Sequence, residues 1–285
     1  MTFQLEATKN ISVCMATRGR PELAFDSMRS MIYLAHDVDE IEFCVAIDND
    51  DTKTLDYFNN TVVPWFEEKE YDLTVMSFDR LGYAKLNEYI SHLASNCHGA
   101  WIITWNDDAV MESQDWDKEI ASYTGQFKLL AFTDNQNQHP YSIFPILPRE
   151  WMVLFSVISP QQAIDAWVSQ VCYLNDCFQR IEAKVIHDRH DLTGNNNDTT
   201  YQEREFLEGD PTRVGDAFHP EMHKLKEQFA AKVSWYLKRI GQDTGHWDKV
   251  KRKEVDPFVK MYENDPNKHI AHFVQVNGQT INVRK

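Results

Sequence analysis

Asn106-Asp107-Asp108 stands directly after the apolar run Trp101 to Trp105. Carboxylates held rigidly at the end of a buried strand are what a hard divalent cation needs, because such ions take oxygen ligands from fixed positions. A second acidic group, Asp48-Asn49-Asp50-Asp51, closes the apolar run Ile41 to Ile47, and His187-Asp188-Arg189-His190 follows Val185-Ile186. Carboxylates joined by an imidazole and phosphate oxygens suit manganese somewhat better than magnesium, so Mn2+ or Mg2+ is the expected ion. Thr17-Arg18-Gly19-Arg20-Pro21 supplies a hydroxyl, backbone amides and two guanidiniums after the run Ile11 to Ala16. Those groups suit a diphosphate or a nucleoside.

These clusters act together only if the chain brings them to one place, and its patterning says how. Strands are expected at 11–16, 41–47, 73–78, 101–105 and 127–132. Helical periodicity is expected at 22–35, 55–70 and 84–94, between the first four of them. Strands alternating with helices predict an α/β fold with a largely parallel sheet, whose crevice lies at the carboxyl ends of the strands. Each polar cluster follows a strand, so the clusters should converge there. Beyond residue 137 the pattern loosens. Pro140, Pro145, Pro148 and Pro160 break the stretch 138–161, residues 162–183 read as helical, and 185–186 as a short strand. Residues 221–240 form the clearest amphipathic helix, with Leu225, Phe229, Val233, Tyr236 and Leu237 on one stripe. Residues 273–283 read as a hairpin turning at Asn277-Gly278.

A chain of 285 residues with 42% hydrophobic and 26% charged side chains can bury a full core. One catalytic domain (1–215) with a helical appendage (216–285) is the expected organisation. No apolar run is long enough to span a bilayer and no signal peptide is visible, so a cytoplasmic protein without membrane contact is expected. The five cysteines lack CxxC spacing and read as reduced core residues. A net charge of −15 disfavours a protein that grips polyanions over its whole surface. The segment 224–253, however, carries nine basic residues against three acidic ones, about +6 locally. Nucleic acid is therefore a conceivable partner through that segment.

Four blocks carry a resemblance. Ile-Ser-Val-Cys-Met-Ala-Thr-Arg-Gly-Arg-Pro (11–21), the strand ending at Asp48, Arg-Leu-Gly-Tyr-Ala-Lys-Leu-Asn (80–87) and Trp-Ile-Ile-Thr-Trp-Asn-Asp-Asp (101–108) look, in order and spacing, like the signature blocks of family 2-like GT-A glycosyltransferases over residues 10–200. The resemblance implies a Rossmann-like, mostly parallel sheet flanked by helices and a nucleotide-sugar donor, usually a UDP-sugar. It also implies that Thr17, Arg18 and Arg20 line the nucleotide and that Asp48 receives the base. Gly82 to Asn87 would pack beside it, and Asn106, Asp107 and Asp108 would form the DxD-type motif, with Asp108 touching the metal most directly. Asn106 stands where the first Asp of that motif is common. The stretch 185–200 resembles the segment that supplies a late metal-binding histidine, for which His187 and His190 are alternatives.

An inverting transferase needs a general base to take the proton of the acceptor hydroxyl. Asp165 resembles the family's base in position, with Asp176 as a second choice. Trp151 and Trp167 are the aromatic residues expected to stack on a ligand from the acceptor side. DNA-modifying transferases of phage type offer an analogy for the basic segment, with a hydroxylated or hydroxymethylated base as acceptor. Two other classes compete: a noncatalytic nucleotide-sugar-binding protein on the same scaffold, which needs no working base, and a nucleotidyltransferase. The latter commonly has a Gly-rich loop with a lysine after its first strand, where this chain has only Gly19.

Overall fold

The structure, a computed structural model, describes residues 7–135, 141–188, 194, 202, 220–250, 273–276 and 279–282. Eight strands form one mixed sheet: β1 (Lys9–Thr17), β2 (Ile41–Asp48), β3 (Asp72–Phe78), β4 (Gly99–Asn106), β5 (Ala109–Met111), β6 (Leu129–Asp134), β7 (Pro145–Pro148) and β8 (Phe178–His187). Their order is β3-β2-β1-β4-β7-β6-β8-β5. β3, β2, β1 and β4 are mutually parallel, β7 runs antiparallel between β4 and β6, and β8 lies parallel to β6. Every residue of β2 is buried, as its unbroken apolar run predicts for a strand covered on both faces, whereas the edge strand β3 is partly exposed.

Strand alternation splits the core in two. Val13 and Met15 of β1, with Phe43, Val45 and Ile47 of β2, face α1 (Pro21–Leu34), the α2 (Thr52–Tyr57) to α3 (Val63–Glu68) segment, and α5 (Trp116–Ala121). The smaller Cys14, Cys44 and Ala46 face α4 (Leu86–Asn96), α6 (Glu150–Phe155), α7 (Ile164–Tyr173) and α8 (Pro220–Arg239). A short α9 (His246–Val250) packs Trp247 beside Ala230 of α8 and Leu174. All five cysteines are unpaired and buried, as expected. No helix among the described residues is long and apolar enough to cross a membrane.

Three element expectations need correction. The helix expected at 55–70 is interrupted by one π-helical turn, Phe58–Val62, just before Pro64, whose ring nitrogen has no hydrogen to donate backwards. The proline-broken stretch holds β7 and α6. Pro145 and Pro148 occupy the two ends of β7, where a missing donor is tolerated best. The helix expected to reach residue 183 ends at Tyr173. Asp176 takes φ 56° in the turn that follows, and from Ile181 to Val185 buried and exposed residues alternate with the period of a strand. The terminal hairpin forms as β9 (Phe273–Val276) against β10 (Gln279–Asn282), with its Asn277-Gly278 turn outside the described residues.

Candidate functional site

β1, β2 and β4 are parallel and end at Thr17, Asp48 and Asn106. Because β6 and β4 both run against β7, and β8 runs with β6, Asp134 and His187 end at the same edge. Topology therefore gathers the polar clusters along one side of the sheet.

The loop after β1 is tied down on both flanks. The Thr17 hydroxyl donates to Asp107 Oδ2 at 2.8 Å, and Arg20 grips the same carboxylate with Nη2 to Oδ1 at 2.6 Å and Nε to Oδ2 at 3.2 Å. Gly19 adopts φ 71°, a conformation that favours glycine, and turns its N–H onto Asp51 Oδ2 at 2.6 Å and Thr54 Oγ1 at 3.1 Å. Asp51 also caps α2 through the Thr54 N–H. Arg20, expected to line the nucleotide, and Asp107, expected within the DxD-type motif, thus hold each other, and the buried Asp107 fixes the loop to the end of β4.

Asp48, 5% exposed, sits between two donors. Arg18 Nη1 reaches Oδ2 at 2.9 Å and also pairs with Asp50, while the Tyr89 hydroxyl donates to Oδ1. Arg18 holds the Asp50 carboxyl below its usual range, and these two acids push the Arg18 guanidinium further up, Asp50 more strongly. Tyr89 also accepts the Leu81 N–H at 2.7 Å. Burial, and then the hydrogen bond to Asp48, push its phenol up to about 12. Gly82 (φ 77°) precedes a single 3₁₀ turn, Tyr83–Lys85, and Asn87 in the first turn of α4 donates Nδ2 to the Ser159 carbonyl at 3.1 Å.

At the other end of the cluster, Asp108 Oδ1 and His187 Nε2 lie 3.1 Å apart, both buried. Antiparallel pairing of β5 with β8 sets Ala109 against His187, and the Asp188 N–H donates to the Asp108 carbonyl at 2.8 Å. Asn106 Nδ2 comes within 3.3 Å of His187 Nε2. Asn135 clamps the His187 backbone from both sides, accepting its N–H at 2.9 Å and donating to its carbonyl at 3.3 Å. The imidazole packs edge-on against Phe144, with ring centroids 4.9 Å apart. Two adjacent corners of an octahedron with bonds of about 2.1 Å lie about 3.0 Å apart, so the Asp108 and His187 donor atoms suit neighbouring positions on Mg2+ or Mn2+. Among the described residues no group of three or more His, Cys, Asp and Glu is arranged to hold a metal. An ion here would complete its shell with phosphate oxygens and water, the usual manner at phosphate sites. His190 lies outside the described residues.

Asp165 occupies the first turn of α7 and is half-buried. α7 ends just before β8, which begins at the sheet edge opposite the clusters. Asp176, the second choice of base, lies exposed in the turn between that helix and β8. Trp151 and Trp167 are corrected: both are fully buried, packing with Phe155 of α6 and Phe229 of α8, where no ligand reaches their faces. In the basic segment Lys226 is buried, Lys232 donates to the Leu154 carbonyl and Lys238 pairs with Asp248 at 2.7 Å; residues 251–253 lie outside the described residues. Sequence reasoning missed Tyr89 and Asn135. Asn135 had a readable signal, since Asp134-Asn135 follows an apolar run as the other clusters do. Tyr89 had none, being one apolar-face residue among several on α4.

No protein-family model and no curated protein matches this chain. Its architecture does match solved structures. S. aureus TarS 1–349 in complex with UDP-GlcNAc aligns at a TM-score of 0.51 and 12% identity, covering 80% of this chain and 73% of that one. The mannosyltransferase PcManGT from Pyrobaculum calidifontis, in complex with GDP-Man and Mn2+, aligns at 0.52 and 11%, covering 92% and 83%. GalNAc-T7 with UDP, GalNAc and Mn2+ aligns at 0.51 and 12%, covering 83% and 58%. The chain has the GT-A fold of these glycosyltransferases, and at such identities the likeness is one of fold.

Proposed function

We propose that this chain is a metal-dependent glycosyltransferase that moves a sugar from a nucleoside-diphosphate sugar, UDP-linked by the resemblance, to an acceptor hydroxyl with inversion. The observation that carries the reading is the buried Asp108–His187 pair, with 3.1 Å between donor atoms, at the same sheet edge as Asp48 and the loop after β1. The similar structures support it through the UDP- and GDP-linked sugars and Mn2+ bound in them. Asp108 and His187 would hold the cation, with His190 as the alternative imidazole. A cation bound there supplies Lewis-acid stabilisation of the negative charge that builds on the departing diphosphate.

The chain's own groups do the rest. Asp48 accepts an N–H of the base, and the loop from Thr17 to Arg20, kept in shape by Asp107 and Asp51, flanks the diphosphate. Asp165 takes the proton of the acceptor hydroxyl. As it does so the acceptor oxygen bonds to the anomeric carbon, the bond from that carbon to the diphosphate breaks, and the nucleoside diphosphate leaves. The acceptor is a hydroxyl compound, with a hydroxylated or hydroxymethylated DNA base among the candidates through the basic segment 224–253.

Calorimetric titration with UDP, GDP, CDP and their sugar conjugates, with Mn2+ and then with chelator, tests this. One conjugate should bind in a metal-dependent manner, and Asp108→Ala should remove that dependence. Asp165→Asn should bind the conjugate normally yet lose at least a hundredfold in its turnover. Failure of every conjugate to bind under both conditions would overturn the reading.

A further inference from the structure

Tyr89 is a buried phenol whose hydrogen-bonding capacity is directed wholly at the base-reading end of the site. Its hydroxyl donates to Asp48 Oδ1 and accepts the Leu81 N–H at 2.7 Å, so one oxygen joins the end of β2 to the loop between β3 and α4. The ring is held by Phe78 of β3, edge to face at 5.4 Å between centroids. Arg18 meets the opposite carboxylate oxygen at 2.9 Å. Asp48 is therefore oriented from two sides, and it is too buried to be reoriented by water.

Resting on the reading of Asp48 as the group that accepts an N–H of the base, we propose that Tyr89 is a positioning residue for base selection. A carboxylate accepts only. Aimed correctly it rewards uracil N3–H or guanine N1–H and penalises the ring nitrogen lone pair that cytosine offers at the same edge. Selection of this kind depends on where the carboxylate points, because a hydrogen bond weakens steeply away from linearity. Tyr89 fixes that direction and, through Leu81, holds the loop at Gly82 in register with it. Its action falls on the base and not on the diphosphate, which lies toward the loop after β1 and the Asp108–His187 pair.

The test is titration of wild type and Tyr89→Phe with UDP, GDP, CDP and, as a base-free probe, inorganic pyrophosphate, all with Mn2+. Wild type should prefer UDP or GDP to CDP. In Tyr89→Phe the preferred diphosphate should weaken about ten- to thirtyfold, the preference over CDP should shrink by a similar factor, and pyrophosphate should bind as before. Equal weakening of all four ligands, or an unchanged base preference, would overturn the proposal by reducing Tyr89 to a packing residue. Hydrogen exchange on wild type covers the case in which the variant fails to fold. The Leu81 amide should be slowed further by the preferred nucleotide and not by pyrophosphate, and equal slowing by both would count against the proposal. If wild type binds no diphosphate, the glycosyltransferase reading falls and takes this inference with it; an unaltered base preference in Tyr89→Phe removes this inference alone.

Discussion

Asp107 and Asp108 are neighbours in sequence with different partners in space. Asp107 is locked to Thr17 and Arg20, while Asp108 meets His187. Substituting them should separate stability from metal binding. Asp107→Asn leaves the mostly buried Arg20 guanidinium without its counter-charge and should cost about 2–4 kcal/mol in urea denaturation, with metal-dependent binding retained in the folded fraction. Asp108→Asn should abolish that binding. A second expectation concerns pH. Tyr89 and Tyr173 are each pushed up to about 12, chiefly by burial, against about 10 in an unfolded chain. A raised folded-state pKa contributes stability that is complete below pH 10 and is lost as pH rises from 10 toward 12. Ultraviolet titration of the phenols should show late-ionising tyrosines and falling stability across that window, and Tyr89→Phe should remove one late step.

At the scale of elements, two glycines make opposite demands. Gly99 opens β4 where it passes β1 so closely that a Cβ would lie 2.4 Å from Ser12 N and 2.5 Å from the Ile11 carbonyl carbon. Neither is a flexible tip that can swing away. Gly99→Ala should destabilise by at least about 2 kcal/mol. Gly19 has open space around its Cβ position but φ 71°, so Gly19→Ala should cost only about 1 kcal/mol, read as a smaller shift of the urea midpoint at unchanged slope. The element boundaries that sequence patterning missed have similar local causes. Prolines that look like breakers sit at the ends of β7, and the apolar residues after Tyr173 have strand spacing once the turn at Asp176 is recognised.

At the scale of the molecule, α8 is part of the core on one face of the sheet. Val233 and Leu237 are buried with Trp151 and Trp167, and Phe229 stacks on Phe155 with centroids 4.1 Å apart. Division at residue 215 into a catalytic domain and an appendage therefore leads to a sharp expectation. A chain truncated after residue 215 should expose that aromatic cluster and elute from size exclusion as aggregate, whereas a stably folded monomer would show that residues 1–215 form an independent unit.

The sequence by itself determined the alternation of strands and helices, the apolar runs that become β1, β2 and β4, and the positions of the polar clusters that follow them. These are local properties: periodicity, breakers and capping groups act over a few residues, and a parallel sheet then brings strand ends to one edge. That Asp48, Asn106 and His187 share an edge was legible for this reason. The partners of each side chain were not. Whether Arg20 faces a phosphate or Asp107, whether Trp167 meets a sugar or Phe229, and whether Tyr89 is filler or a hydrogen-bonding post depends on residues 41 to 87 positions away. Only the tertiary structure decided these, because a buried polar group takes whichever partner the packing leaves within about 3 Å, and no local pattern encodes that distance.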